Sequence, residues 1–277
     1  MNVRPFKNQP YRVSSQAKNA IEWEIQDMLQ MGIIHPSGSA WASPVVLVPK
    51  PDGEIRFCVD YRKLNAVTRP DNYPMPCTDE LLEKLGWAQF ISTLVLTKGY
   101  WQVPLDESAK EKSAFTTHLG LYEFNVLPFG LRNAPATFQR LVDGLLAGLG
   151  EYAAAYLDNV AIFSDSWAEH VEQLQKVFER IREARLTVKA KKCQIGLNRV
   201  TYLGHQAGQG TINPQSGYYP KVACPKVKET GSILLRLGRI LQAICTAIQL
   251  NRRPTDRPNQ KETAKCGSVD QRVSEGL

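Results

Sequence analysis

No run of 18 apolar residues occurs in the 277-residue chain, so a membrane-spanning helix is not expected. Met1 to Tyr11 is polar and carries Pro5 and Pro10, without the apolar centre of a secretory signal. These two absences point to an intracellular protein, of cytoplasm or nucleus, with no membrane partner. Cys-x-x-Cys pairs are missing too. The six cysteines (Cys58, Cys77, Cys193, Cys224, Cys245 and Cys266) are scattered. That argues against zinc and against a disulfide framework, and for free thiols in a reducing compartment. The net charge of +7 is absent from most of the chain: residues 217–277 hold 11 Lys/Arg and 5 Asp/Glu, residues 1–216 hold 23 and 22. Bulk charge therefore gives the first 216 residues no polynucleotide partner. Nor is there an internal repeat, or the regular strand–helix alternation of a parallel sheet.

What is present is a globular composition, 43% hydrophobic and 22% charged, with short patterned elements. Ser15 to Gly32 predicts a helix with Ile21, Ile25, Met28 and Leu29 on one face and Gly32 just past its end. Val45–Val48 and Ile55–Val59 predict a hairpin around Lys50-Pro51-Asp52-Gly53. Thr78 to Leu85 predicts a short helix, capped by Thr78 and stopped by Gly86. Phe90 to Leu96 predicts a strand, and Pro135 to Leu146 a helix with proline in its first turn. Ala153–Tyr156 and Val160–Phe163 predict strands around a tight Leu157-Asp158-Asn159 turn. Ser166-Trp167-Ala168-Glu169 is a capping box opening a helix to about Arg185. Leu186–Val188 and Val200–Leu203 predict short strands flanking the basic Lys189-Ala190-Lys191-Lys192. The expected class is α+β, an antiparallel sheet with helices on one face.

Nucleotidyl transfer brings two magnesium ions roughly 4 Å apart against the reacting oxygens. Magnesium prefers hard oxygen ligands, so carboxylates must converge from separate strands. An apolar strand, Phe90 to Leu96, followed by Thr97-Lys98-Gly99-Tyr100, and a Tyr156-Leu157-Asp158-Asn159 turn between two β-rich runs form a frame of that kind.

Other runs fill in the frame: Gly32-Ile33-Ile34-His35-Pro36-Ser37, Trp41 to Lys50, Arg56 to Asn65, Leu127-Pro128-Phe129-Gly130-Leu131, Asn133 to Gln139, and Tyr202-Leu203-Gly204-His205. In this order, residues 10 to about 215 closely resemble the fingers and palm of a reverse transcriptase from a gypsy-class long-terminal-repeat retrotransposon. The resemblance implies a right-hand polymerase with fingers over roughly 1–70 and 103–133 and palm over roughly 71–102 and 134–205. It implies magnesium, a dNTP, and an RNA or DNA template-primer as ligands. Lys50, Arg56, Tyr100, Phe129 and Lys192 would bind the nucleotide, with Tyr100 under the sugar. Tyr202, Leu203, Gly204 and His205 would hold the primer end. The parent polyprotein would also carry ribonuclease H, for which this chain has no segment.

Two departures bear on the chemistry. Of three metal-binding aspartates implied by the family, Asp158 matches, whereas Val95 stands at the first, on the strand, and Asn159 at the last, in the turn. Valine cannot ligate and asparagine offers a neutral oxygen, so polymerase activity is expected to be lost; an active enzyme working through Asp158 and a water-bridged Asn159 is the opposing expectation. A non-catalytic module that holds hybrid or nucleotide in the surviving cleft is a further alternative.

The thumb is missing from its expected place after Asn213-Pro214-Gln215. Residues 216–277 read instead as a basic tail with too little apolar surface to offset chain entropy. Yet Arg236 to Cys245 can be encoded AGG CTT GGC AGG ATA CTA CAG GCG ATT TGT, and the next frame of that string gives Gly-Leu-Ala-Gly-Tyr-Tyr-Arg-Arg-Phe, a thumb-like run. The same offset lets Lys228 to Leu235 yield Arg-Lys-Gln-Val-Arg-Ser-Phe-Leu. The expectation is a one-frame slip near Ser216 or Gly217.

Overall fold

The computed structural model describes residues 3–49 and 55–214; the Lys50–Gly53 turn and the tail lie outside them. The chain opens with α1 (Ser15–Gln30). The Ser14 hydroxyl accepts from the Ala17 amide at 3.3 Å, and Gly32 at φ 65° closes the other end. There Gly32 N–H donates to Leu29 and Ile33 N–H to Met28, the paired bonds of a Schellman stop. Ile21, Ile25 and Met28 are buried, but Leu29 is 37% exposed. One residue past Met28 is about 100° round the helix, which turns Leu29 out of the face expected for it.

Next come β1 (Ile34–Pro36), β2 (Ser43–Pro49), β3 (Ile55–Val59), α2 (Arg62–Val67), α3 (Thr78–Trp87), β4 (Phe90–Val95) and α4 (Glu107–Lys110). Then follow β5 (Phe115–Thr117), β6 (Gly120–Phe124), α5 (Ala134–Leu145), β7 (Ala153–Tyr156), β8 (Asn159–Ser164) and α6 (Trp167–Glu183). The described part closes with β9 (Gln194–Leu197), β10 (Val200–Tyr202), β11 (His205–Gly208) and β12 (Thr211–Pro214).

Three sheets result. The first has the order β1-β6-β5-β2-β3, with β2 and β5 parallel and the expected β2–β3 hairpin antiparallel. Its core joins α1 to Val45, Phe115, Phe124 and Val126. The second, order β7-β8-β4-β9, is antiparallel throughout. Alternation along β8 separates its two faces. Val160 and Ile162 join Leu94, Phe138, Val142, Leu174 and Val177 under α5 and α6. Ala161 and Phe163 join Ile91, Leu81, Leu85 and Tyr202, under α3 and β10. The third sheet is β10-β11-β12.

Several local expectations need correction. Cys77, not Thr78, is the N-cap of α3, with no side-chain cap bond. The helix also runs through Gly86. The glycine is needed for close packing instead: a Cβ there would lie 3.0 Å from Ile212 Cγ1, and its carbonyl accepts from Gly210 N–H at 2.7 Å. Leu186–Val188 forms only a single bridge, Leu96 to Val188. The helix before it ends with Arg185 at φ 56° and Schellman bonds from Arg185 N–H to Arg182 and Leu186 N–H to Ile181. β9, β11 and β12 were not legible, because Gly196, Gly208 and the polar Gln206, Gln209 and Asn213 break any alternation there.

A buried polar knot ties α6 to the second sheet. His170, with none of its surface exposed, bonds Ser92 Oγ through Nε2 at 2.7 Å and Ser164 Oγ through Nδ1. Ser92 Oγ also accepts from Gly196 N–H at 2.9 Å, which adds β9 to the knot. Burial pulls the His170 pKa down to about 4, so the ring is neutral in the folded protein near pH 7.

Candidate active site

Strands β7 and β8 pair up to Tyr156 opposite Asn159, leaving Leu157 and Asp158 as a two-residue turn. Leu157 sits at φ 53°, a left-handed conformation that costs a non-glycine residue roughly 1 kcal/mol. Such turns suit the twist of a hairpin, and the turn must be held by its surroundings. Gln139 supplies the hold. Its Oε1 accepts from Leu157 N–H at 2.7 Å, and its Nε2 donates to Ala155 O at 3.0 Å. Asp158 O accepts from Leu96 N–H at 2.8 Å, which fixes the turn against the end of β4.

Val95 pairs directly with Asn159. Directly opposed residues in a sheet point to the same face, so Val95 and Asn159 stand side by side on the face opposite α5 and α6. Val95 O accepts from Lys189 N–H at 2.7 Å. Asn159 Nδ2 is 3.4 Å from Asp158 Oδ1, so an amide donor faces the carboxylate. Tyr202 O–H donates to Asn159 O at 3.0 Å, and burial drives that phenol well above its ordinary pKa.

Tyr100 borders the same site. Its phenol pKa is raised by burial first, then by the nearby Asp158 and Tyr156. Its ring lies 5.0 Å from Phe129 and 5.4 Å from Phe138, centre to centre. Phe129 is 53% exposed, an uncommon state for phenylalanine. Gly99 makes this approach possible, since a Cβ there would lie 3.1 Å from Phe138 Cζ and 3.3 Å from Asp158 Cβ.

The structure thus gathers Val95, Asp158, Asn159, Tyr100, Phe129 and Tyr202. Leu203 (φ 48°) and Gly204 (φ 78°) form the turn between Tyr202 and His205, and His205 Nδ1 lies 3.2 Å from Leu203 O. Arg56 is exposed on β3, in the other sheet, and Lys192 is exposed on the turn before β9. Lys50 falls outside the described residues.

Sequence reasoning gave no role to two glutamines. Gln139 is wholly buried on the apolar side of α5. A polar residue among Phe138, Leu141 and Val142 is the available signal, because a buried amide has to be satisfied. Gln102 bonds Thr97 O at 2.6 Å and Thr187 O at 3.1 Å through Nε2, and its Oε1 accepts from Thr187 N–H at 2.6 Å. It holds the loop after β4 against residues 187–189. Nothing local in the sequence marks it.

The donor set is a poor match for a pair of magnesium ions. One carboxylate, a hydrocarbon and a neutral amide stand where hard anionic oxygens are wanted. Among the described residues no group of three His, Cys, Asp or Glu side chains could hold a metal ion.

Residues 48–207 match the family described as "Reverse transcriptase (RNA-dependent DNA polymerase)". The retrovirus-related Pol polyprotein from transposon 297 of Drosophila melanogaster is 40% identical over 216 residues, 76% of this chain and 20% of that protein. The corresponding polyprotein from transposon gypsy is 37% identical over 214 residues, 73% of this chain and 21% of its own length. A foamy viral protease-reverse transcriptase in complex with RNA/DNA hybrid superposes with a TM-score of 0.72 at 27% identity, covering 88% of this chain and 33% of that one. The same enzyme type bound to double-stranded DNA gives 0.72 at 26% identity, over 100% and 47%.

The fold is that of right-hand polymerases, and the chain belongs to the reverse transcriptase family. Its relatives make it a retrotransposon reverse transcriptase domain. The chain spans about a fifth of the length of the curated relatives it matches. No described helix is long and apolar enough to cross a membrane.

Proposed function

We propose that this chain is a reverse transcriptase domain that has lost RNA-directed DNA polymerase activity. The observation behind the reading is the pairing of Val95 with Asn159 beside Asp158. Two of the three family carboxylates are replaced, and Asn159 points an amide at the third. Clustered carboxylates repel one another without a metal; their replacement therefore removes chemistry without demanding a change in fold. Lost charge stabilisation at a reacting centre is typically worth several kcal/mol, or orders of magnitude in rate. Magnesium binding is correspondingly weak or lost. The fingers span roughly 1–70 and 103–133 and the palm roughly 71–102 and 134–205. Residues 216–277 are an out-of-frame reading of the thumb. The test is primer extension on an RNA template with magnesium and with manganese. Extension by the purified chain above a no-protein control overturns the proposal.

A second reading rests on the Tyr100–Phe129 pair. An exposed aromatic surface beside the cleft remains in place without the carboxylates, and base–aromatic stacking needs no metal. In this reading the domain holds an RNA–DNA hybrid or a dNTP without turnover, with Lys50, Arg56 and Lys192 on phosphates and Tyr202 to His205 at the primer end. Low-micromolar, salt-dependent binding of hybrid that falls on Phe129→Ala supports it. Binding that ignores that substitution assigns the affinity to bulk charge instead.

A further inference from the structure

The turn that carries Asp158 is anchored further out than Gln139. Gln139 Nε2 also donates to Asp143 Oδ1 at 2.8 Å, one helical turn along α5, and Asp143 Oδ2 accepts from Tyr73 O–H at 2.7 Å. Tyr73 belongs to the strap between α2 and α3, the covalent link from fingers to palm at this point of the chain. A polar stripe on α5 clasps the strap. Asn133 accepts from Asp71 N–H at 3.0 Å and donates to Arg69 O at 2.8 Å. Arg140 bonds both oxygens of Asp71, at 3.0 and 2.8 Å, and its guanidinium lies 4.7 Å over the Tyr73 ring. Asn133, Arg140 and Asp143 recur at helical spacing and so share one flank of α5. Gln139 lies on the neighbouring, buried flank. The 139–143 bond is where strap and turn are joined.

The two inner members of the chain Tyr73–Asp143–Gln139–Leu157 are bonded on both sides. Gln139 has both amide hydrogens and its carbonyl engaged, so its rotamer is fixed by Asp143 as much as by the turn. Leu157, in a conformation that leucine avoids, depends on that rotamer for its amide partner. The geometry assigns to Tyr73 and Asp143 the role of positioning residues for the Leu157–Asp158 turn, acting through Gln139 from the strap that links fingers to palm. That the turn is the polymerase turn is the reading given above; the hydrogen-bond chain does not depend on it.

The experiment is amide hydrogen exchange, resolved by residue, on the full chain. Gln139→Leu removes the partner of Leu157 outright and can disturb packing, so Tyr73→Phe, which deletes one hydroxyl and keeps the ring over Arg140, is the decisive variant. Its expected signature is faster exchange at Leu157 N–H, by roughly 3- to 10-fold for the loss of one hydrogen bond in a relay. The ladder amides of β4 and β8 stay unchanged. Asp143→Ala gives the same pattern, and combining the two adds little, since both break one chain. If Tyr73→Phe alters only strap amides, or all amides together, Tyr73 is a packing residue and the assignment fails. A second arm uses Val95→Asp with Asn159→Asp on a chain with an in-frame thumb. There Tyr73→Phe should lower kcat several-fold and leave the template-primer KM alone. A chain that fails to recover extension points to further damage elsewhere in the domain, while the exchange result still decides the relay.

Discussion

Strand β8 belongs to two regions that differ sharply. Toward α5 and α6 it gives Val160 and Ile162 to a core closed on all sides. Along the same edge His170, Ser92 and Ser164 satisfy one another out of water. Toward the cleft it gives Asn159, beside Val95, with a single carboxylate close by. Burial constrains the first region residue by residue, because a lost methylene or an unpaired hydroxyl costs folding energy directly. The second is constrained only by what it must bind or catalyse. Val95 is well suited to a strand, and Asn159 still offers its carbonyl to Tyr202. The contrast separates what holds the fold from what the proposed site would need for its chemistry.

The largest effect that would sharpen this contrast is recovery of activity. With the thumb supplied in frame, Val95→Asp and Asn159→Asp together should raise primer extension by about 1000-fold or more; either alone should fall far short, because the metals need the whole set. No recovery would place further damage elsewhere in the domain. On the core side, Ile162→Ala should destabilise by about 2–5 kcal/mol in urea unfolding. Val95→Ala, on the half-buried cleft face, should cost under about 1 kcal/mol. Equal costs would break the comparison.

The knot predicts a pH dependence of comparable size. His170 is held neutral, its pKa lowered from 6.5 to about 4 by burial, so the unfolded chain binds the extra proton between those values. The stabilisation is fully present above about pH 6.5 and is lost as pH falls toward 4, by about 3 kcal/mol for this group. His170→Asn should cost stability at pH 7 and flatten the slope in denaturant unfolding across that window. An unaltered slope would mean the ring is already solvated. The smallest effect concerns Arg185, exposed and left-handed at φ 56°. Arg185→Gly should stabilise by up to about 1 kcal/mol, read as a rise in Tm. A fall would show that the arginine side chain matters more than its backbone strain.

Much of the scaffold was legible because its signals are local. The stop at Gly32, the capping serine at Ser166, the β2–β3 hairpin and the β7–β8 turn are set by residues within a few positions of one another. The tight turn with Asp158 could be placed from the β-rich runs on either side of it. What escaped detection depends on contacts across the chain. β9 is a strand because it finds the edge of β4, and β11 and β12 because they pair behind Tyr202. Gly86 looked like a helix stop because its neighbour Ile212 lies far away in sequence. Gln139 and Gln102 looked like ordinary polar residues, since a side-chain amide reveals its partner only after folding.

The sequence by itself determined the family and the order of its elements, because the motifs that carry them are contiguous runs; the loss of two carboxylates from the proposed site is likewise a matter of which residues stand at Val95 and Asn159. Tertiary structure alone decided that Val95 and Asn159 share a face, that Tyr100 meets Phe129 on one side and the charge of Asp158 on another, and that a strained leucine is held by Gln139, itself bonded to Asp143 and through it to Tyr73. Those facts rest on strand register and on hydrogen bonds between residues as far as 70 positions apart, as Tyr73 is from Asp143. No local propensity encodes such separations; burial and hydrogen-bond satisfaction select them once the sheets have closed.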